Sequence, residues 1–101
     1  MISAIKEARN QEKAKKKENF TKAIVAAIKN GSYEFTYGYN SQEDFQEIEE
    51  VIADLNKELE EDKFVLKIKS KMNRPATYSI YIEGRYIGSF LNTIQVSIDA
   101  L

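Results

Sequence analysis

Apolar positions along this chain follow two rhythms. Phe20, Ala23, Ile24, Ala27 and Ile28 recur at steps of three and four and stop at Asn30-Gly31, where glycine suits the left-handed residue after a helix, so the spacing predicts a helix over residues 19–29. Upstream, only Ile2, Ile5 and Ala8 keep that rhythm, and residues 9–19 offer no apolar stripe. Residues 1–18 are therefore expected as a basic arm or as an extension of the same helix into solvent, ahead of one domain over residues 19–101. The period then changes to two. Tyr33, Phe35, Tyr37 and Tyr39 alternate with Glu34, Thr36 and Gly38, which reads as a strand. Aromatics at alternate positions could stack bases, as in single-strand nucleic-acid binders. The simpler reading buries Phe35 and Tyr37 under a helix and leaves Tyr39 as the exposed ring.

A second helix is announced by its cap. Ser41-Gln42-Glu43-Asp44 places a serine at the N-cap and acids in the first turn, where the helix dipole favours them. Phe45, Ile48, Ile52, Leu55 and Leu59 then form one stripe. At about 100° per residue, Glu43, Glu47, Glu50, Asp54, Glu58 and Glu61 fall on or beside the opposite face, an acidic ridge roughly 27 Å long interrupted only by Lys57.

Beyond the Glu60-Glu61-Asp62-Lys63 turn, Phe64, Leu66 and Ile68 alternate with Val65, Lys67 and Lys69 as a second strand. A polar stretch from Ser70 to Pro75 leads to a third strand from Ala76 to Glu83, with Pro75 at its start, where a missing N–H does least harm. Glu83-Gly84 makes a tight hairpin into a fourth strand, Arg85 to Phe90. One face of this meander gathers Lys67, Lys69, Thr77, Ser79, Tyr81 and Arg85. The strand at residues 32–39 and the one opening at Phe64 flank a helix, and could pair in parallel through a right-handed crossover. The tail supports two readings. Ile94, Val96 and Ile98 alternate as in a strand, yet Leu91, Ile94, Ile98 and Leu101 also stand at helical spacing.

The segment from Ser79 to Phe90, with its turn glycine followed by Arg85-Tyr86-Ile87-Gly88-Ser89-Phe90 and then an apolar-periodic stretch, resembles the three-stranded DNA-binding domains of plant ethylene-response factors and of tyrosine-recombinase integrase N-termini. The resemblance spans residues 64–101 at most. It implies a short C-terminal helix after the strands, and a sheet face laid into a DNA groove with Lys67, Lys69, Thr77, Ser79 and Arg85 as contacts. The expected fold is thus α+β: N-terminal helix, strand, long amphipathic helix, three-stranded antiparallel meander and short C-terminal helix.

Composition narrows the chemistry. Neither cysteine nor histidine occurs among the 101 residues, which excludes disulfides, the usual zinc sites, and nucleophiles or bases that rely on imidazole. The glycines are isolated, so no phosphate loop exists. Ser79-Ile80-Tyr81 and Tyr86-Ile87-Gly88 echo a two-part nuclease signature at too short a spacing, and Glu61-Asp62-Lys63 is too common a triplet to mark a metal-dependent nuclease. No enzyme activity, cofactor or metal is expected. The N-terminus lacks a secretory pattern and no apolar run is long enough to span a bilayer, so a cytoplasmic protein without membrane contact is expected. Lysine outnumbers arginine twelve to three, a bias of AT-rich genomes that suggests a low-GC bacterium or its phage.

Charge is distributed in blocks. Residues 1–30 carry net +5, residues 31–63 net −9 and residues 64–101 net +3, for a total of −1. Two functions follow as expectations. In the first, a phage-type protein occludes a host nucleic-acid-processing complex, its row of carboxylates imitating a phosphate track. In the second, the chain binds DNA directly through Lys13, Lys15, Lys16 and Lys17 of the arm and Lys67, Lys69, Arg74 and Arg85 of the sheet face. A structural or oligomer-forming phage subunit is a third class.

Overall fold

The computed structural model describes residues 2–101. Its elements run α1 (Ile2–Asn30), β1 (Glu34–Tyr39), α2 (Gln42–Leu59), β2 (Phe64–Ile82) and β3 (Arg85–Ala100), with both helices packed on one face of a three-stranded antiparallel sheet. α1 passes without a break through the boundary expected near residue 18. It ends in a Schellman arrangement: Gly31 takes φ 72°, its N–H donates to the Ile28 carbonyl, and the Ser32 N–H donates to the Ala27 carbonyl. α2 starts as its sequence promised. Ser41 Oγ accepts from the Asp44 N–H at 3.1 Å, satisfying a first-turn donor, and Asp44 Oδ2 accepts from the Asn40 N–H, one residue ahead of the cap, at 3.2 Å.

Two expectations about the strands are corrected. The order is β1-β3-β2, so β1 pairs antiparallel with β3 and not in parallel with β2. The C-terminal segment is strand throughout, and no C-terminal helix is present among the described residues. The reason is position. β3 is the central strand, and its β-branched Ile94, Val96 and Ile98 alternate into the core at 1%, 0% and 4% exposure, whereas the leucines that created the helical spacing, Leu91 and Leu101, stand exposed.

The expected meander is likewise two long strands joined by one tight turn, whose central residues Glu83 and Gly84 both have positive φ, as a two-residue hairpin of this twist requires. The stretch Ser70–Asn73, expected as a connection, pairs with Gln95–Asn92, while residues 74–77 bulge outward between the Asn73–Asn92 and Tyr78–Phe90 pairs. Pro75 lies in that bulge, where it forfeits no ladder hydrogen bond. The bulge bends the hairpin so that its distal half folds back onto α1. Ile80 and Ile82 there join Phe20, Ala23, Ile24 and Ala27 in the core. A close approach accompanies the bend: a Cβ on Gly38 would lie 2.1 Å from the Phe90 ring, so only glycine leaves that ring its place.

α2 also seals one edge of the sheet. Asn56 Oδ1 accepts from the Leu66 N–H at 2.7 Å and its Nδ2 donates to the Leu66 carbonyl at 3.3 Å, so this outer stretch of β2 is not left with bare backbone groups.

Candidate nucleic-acid interface

Half of the acidic ridge does not stand free: Glu47, Asp54 and Glu58 are paired with α1. Lys16 Nζ sits 3.0 Å from Asp44 and 3.2 Å from Glu47, Lys13 lies 3.2 Å from Asp54, and Lys17 lies 2.8 Å from Glu58. The +5 and −9 blocks of the sequence are thereby turned against each other along an α1–α2 seam. Of the remaining ridge residues, Glu43 and Glu50 line a groove opposite Arg9, Asn10 and Lys13, and Glu61 belongs to the turn after α2, which ends at Leu59. The helix is rotated from its expected setting because Val51, absent from the expected stripe, is fully buried; the buried arc widens toward α1 and carries Asp44, Glu47, Asp54 and Glu58 to the flank facing it.

Lys16 is the centre of the seam. Burial alone would lower its pKa, but the hydrogen bond and charge of Asp44, and then the nearby carboxylate of Glu47, outweigh that and hold it above its ordinary value of 10.5. Tyr37 is likewise raised above 10.0, by burial first, against a hydrogen bond from Asn19 and the Lys16 charge, which act the other way. Both groups retain their proton to higher pH in the folded chain than in the unfolded one. Their contributions are complete below the unfolded values and are lost as pH rises through the folded ones. Thermal unfolding followed from pH 7 to 11 should therefore give a steady midpoint up to about pH 10 and a fall above it, and Lys16→Gln should soften that fall.

Three of the four arm lysines are thus already engaged, and Lys15 alone of that set points away from α2. Of the sheet cations, Lys67 lies 3.9 Å from Asp99, a loose exposed contact, while Lys69, Arg74 and Arg85 form no ion pair among the described residues. Arg74 is held in place: its Nε donates to Thr93 Oγ1 at 3.0 Å and its guanidinium lies 4.2 Å from the centroid of the Tyr78 ring. Lys71, not singled out from the sequence, rests its ammonium 3.8 Å over the Phe45 ring.

Three of the four exposed aromatics among the described residues are also on the hairpin. β1 buries Tyr37, half-buries Phe35, and turns Tyr39 against Phe45 at 5.0 Å, so Tyr39 is not the exposed ring; Tyr33 is the exposed ring of that set, at 42%. The rings that reach solvent elsewhere are Tyr78, Tyr81 and Tyr86, at 40%, 62% and 55%. Tyr81 and Tyr86 face each other across the hairpin with centroids 5.6 Å apart, and the Tyr86 hydroxyl is tied to Ser89 Oγ at 2.6 Å, itself 3.1 Å from Ser79 Oγ. The signal for this pair was present in the strand alternation, since Ile80 and Ile82 must face the core and Tyr81 must then face out.

The fold back of the hairpin brings Lys15 and Arg85, two of the sequence-predicted contacts, to one crevice of about 220 Å³ with Lys22, Glu18, Asn19, Tyr86 and Ile87. Lys67 and Lys69 lie on the other half of β2, beyond the Asn73–Tyr78 bulge, and Arg74 opens the bulge itself. Among the described residues no group of three or more acidic side chains is arranged to hold a metal ion, and no helix is long and apolar enough to cross a membrane. Comparison with protein-family models, with curated proteins and with solved structures finds no match to this chain.

Proposed function

We propose that this protein is a non-catalytic nucleic-acid-binding module whose contact surface is the β2–β3 hairpin. The observation that supports this reading is the company kept by the charges. Three lysines of α1 and four carboxylates of α2 neutralise one another, whereas Lys69, Arg74 and Arg85 remain without acidic partners on the element that also displays Tyr78, Tyr81 and Tyr86. Cations with no internal partner and aromatic faces open to solvent are what a polyanion bearing bases requires. The opposing idea, an anionic decoy presented by α2, needs free carboxylates, and the α1 lysines take three of its six, Glu47, Asp54 and Glu58.

Fluorescence anisotropy with labelled oligonucleotides across a salt series tests the reading. Binding should weaken linearly on a logarithmic salt scale. Lys69→Glu combined with Arg85→Glu should lower affinity at least about tenfold, each lost phosphate contact removing an increment of charge neutralisation. Glu43→Lys with Glu50→Lys should not weaken it. A chain that binds no nucleic acid even at the lowest salt would instead return attention to α2 as a protein contact.

A further inference from the structure

The ligand of this hairpin is set by how its rings are presented, and the argument rests on the nucleic-acid reading above. We infer that the protein takes single-stranded nucleic acid, with unpaired bases on the Tyr81–Tyr86 pair and a backbone phosphate in the crevice formed by Lys15, Lys22 and Arg85.

A tyrosine ring more than half exposed gains by covering a base face, and in a duplex those faces are already stacked on neighbouring pairs. Tyr81 and Tyr86 are the two most exposed rings of the chain and they are neighbours inclined at 59°, so they offer two adjoining ring surfaces. Tyr86 is shared between that pair and the crevice: its ring meets Tyr81, and it lines the space with Lys15, Lys22 and Arg85. The crevice carries three cations against a single carboxylate, Glu18, which Lys22 holds at 3.2 Å. Lys15 and Arg85 are therefore left for an anion beside the stacked base. Lys15 comes from α1 and Arg85 from the hairpin, so the seat exists only where the hairpin lies against the helix.

The test compares oligo-dT of about 12 nucleotides, a length one small domain can cover, with a duplex of equal length. Oligo-dT should bind at least tenfold more tightly than the duplex. Tyr81→Ala and Tyr86→Ala should each weaken oligo-dT binding by roughly five- to a hundred-fold, the range found for removing one base-stacking ring, while Tyr86→Phe, which keeps the ring and drops the Ser89 hydrogen bond, should bind like the unaltered chain. Lys15→Gln should reduce the salt slope by about 0.7, one single-strand phosphate contact. Duplex binding that matches or exceeds oligo-dT binding, with the tyrosine variants unaffected, would overturn the single-strand seat yet leave the nucleic-acid reading in place. Loss of both ligands at the lowest salt would overturn the two together. Because both tyrosines are exposed, unchanged far-ultraviolet circular dichroism is expected for every variant, and a changed spectrum in the alanine variants with normal binding by Tyr86→Phe would count against a stacking role.

Discussion

Phe20→Ala should cost about 3–5 kcal/mol, a large share of the roughly 5–15 kcal/mol that holds a domain of this size together. Phe20 is fully buried, and it joins the layers of the fold: its ring stands edge-on to Phe35 at 5.5 Å and tilted against Tyr37 at 4.6 Å, both on β1. Removing it leaves a cavity between α1 and β1 that Ala23 and Ala27, the nearest small residues on the same stripe, are too short to fill. It also loosens Asn19, whose amide donates to the Tyr37 hydroxyl from the adjacent position on α1. Urea denaturation would register the loss as a lower midpoint with an unchanged slope. A shift worth less than about 1 kcal/mol would mean that the helix can settle into the gap, and that the core is less closely fitted than its burial indicates.

Much of this arrangement could be read from the chain, and the failures share one physical origin. Local signals held wherever a residue's setting depends on its own element: the Schellman glycine at residue 31, the Ser41 cap and the Glu83-Gly84 turn all lie where their residue types placed them. What went astray depended on partners distant in sequence. The tail satisfied both periods, and only its place as central strand between β1 and β2 decides for the strand. Ser70–Asn73 looked like a loop because its residues are polar, but polarity there reflects an outer position in the sheet.

The lysine run illustrates the same point for the candidate site. Lys17, Lys16 and Lys13 precede Phe20 by three, four and seven positions, so they continue its stripe toward the N-terminus and must face whatever that stripe faces. The continuation is charged, so an apolar stripe does not display it. The seam of opposite charge was therefore legible in principle, from the spacing of the lysines and from Val51, whose place beside Ile48 and Ile52 turns the α2 acids toward α1. Lys15, off that stripe, is correspondingly the arm lysine that reaches the hairpin crevice. The crevice itself was not legible, because it joins residues seventy positions apart through a bulge whose size no local pattern specifies.

A pair of charge reversals on α2 separates a seam from a decoy. Glu47→Lys is expected to cost about 2–4 kcal/mol, toward the lower part of the range for breaking a buried ion pair because the site is not fully enclosed. The Glu47 and Lys16 side chains are each only 17% exposed, and reversal would set two ammonium groups about where a 3.2 Å attraction now stands, leaving Asp44 as the only compensating charge at Lys16. The contact is mainly one of charge, since Glu47 Oε1 is buried without a hydrogen-bond donor in line with it. Glu50→Lys, on the same helix but exposed and without an ion pair among the described residues, should move stability by no more than about 0.5 kcal/mol. Thermal melts of the two single variants, and of Glu47→Lys combined with Lys16→Glu, give the answer. The combined variant restores opposite charges at that contact but brings the new glutamate against Asp44, so it should recover only part of the loss. Equal melting points for Glu47→Lys and Glu50→Lys would show that the two helices do not hold each other through this seam, and α2 would again present its carboxylates to solvent.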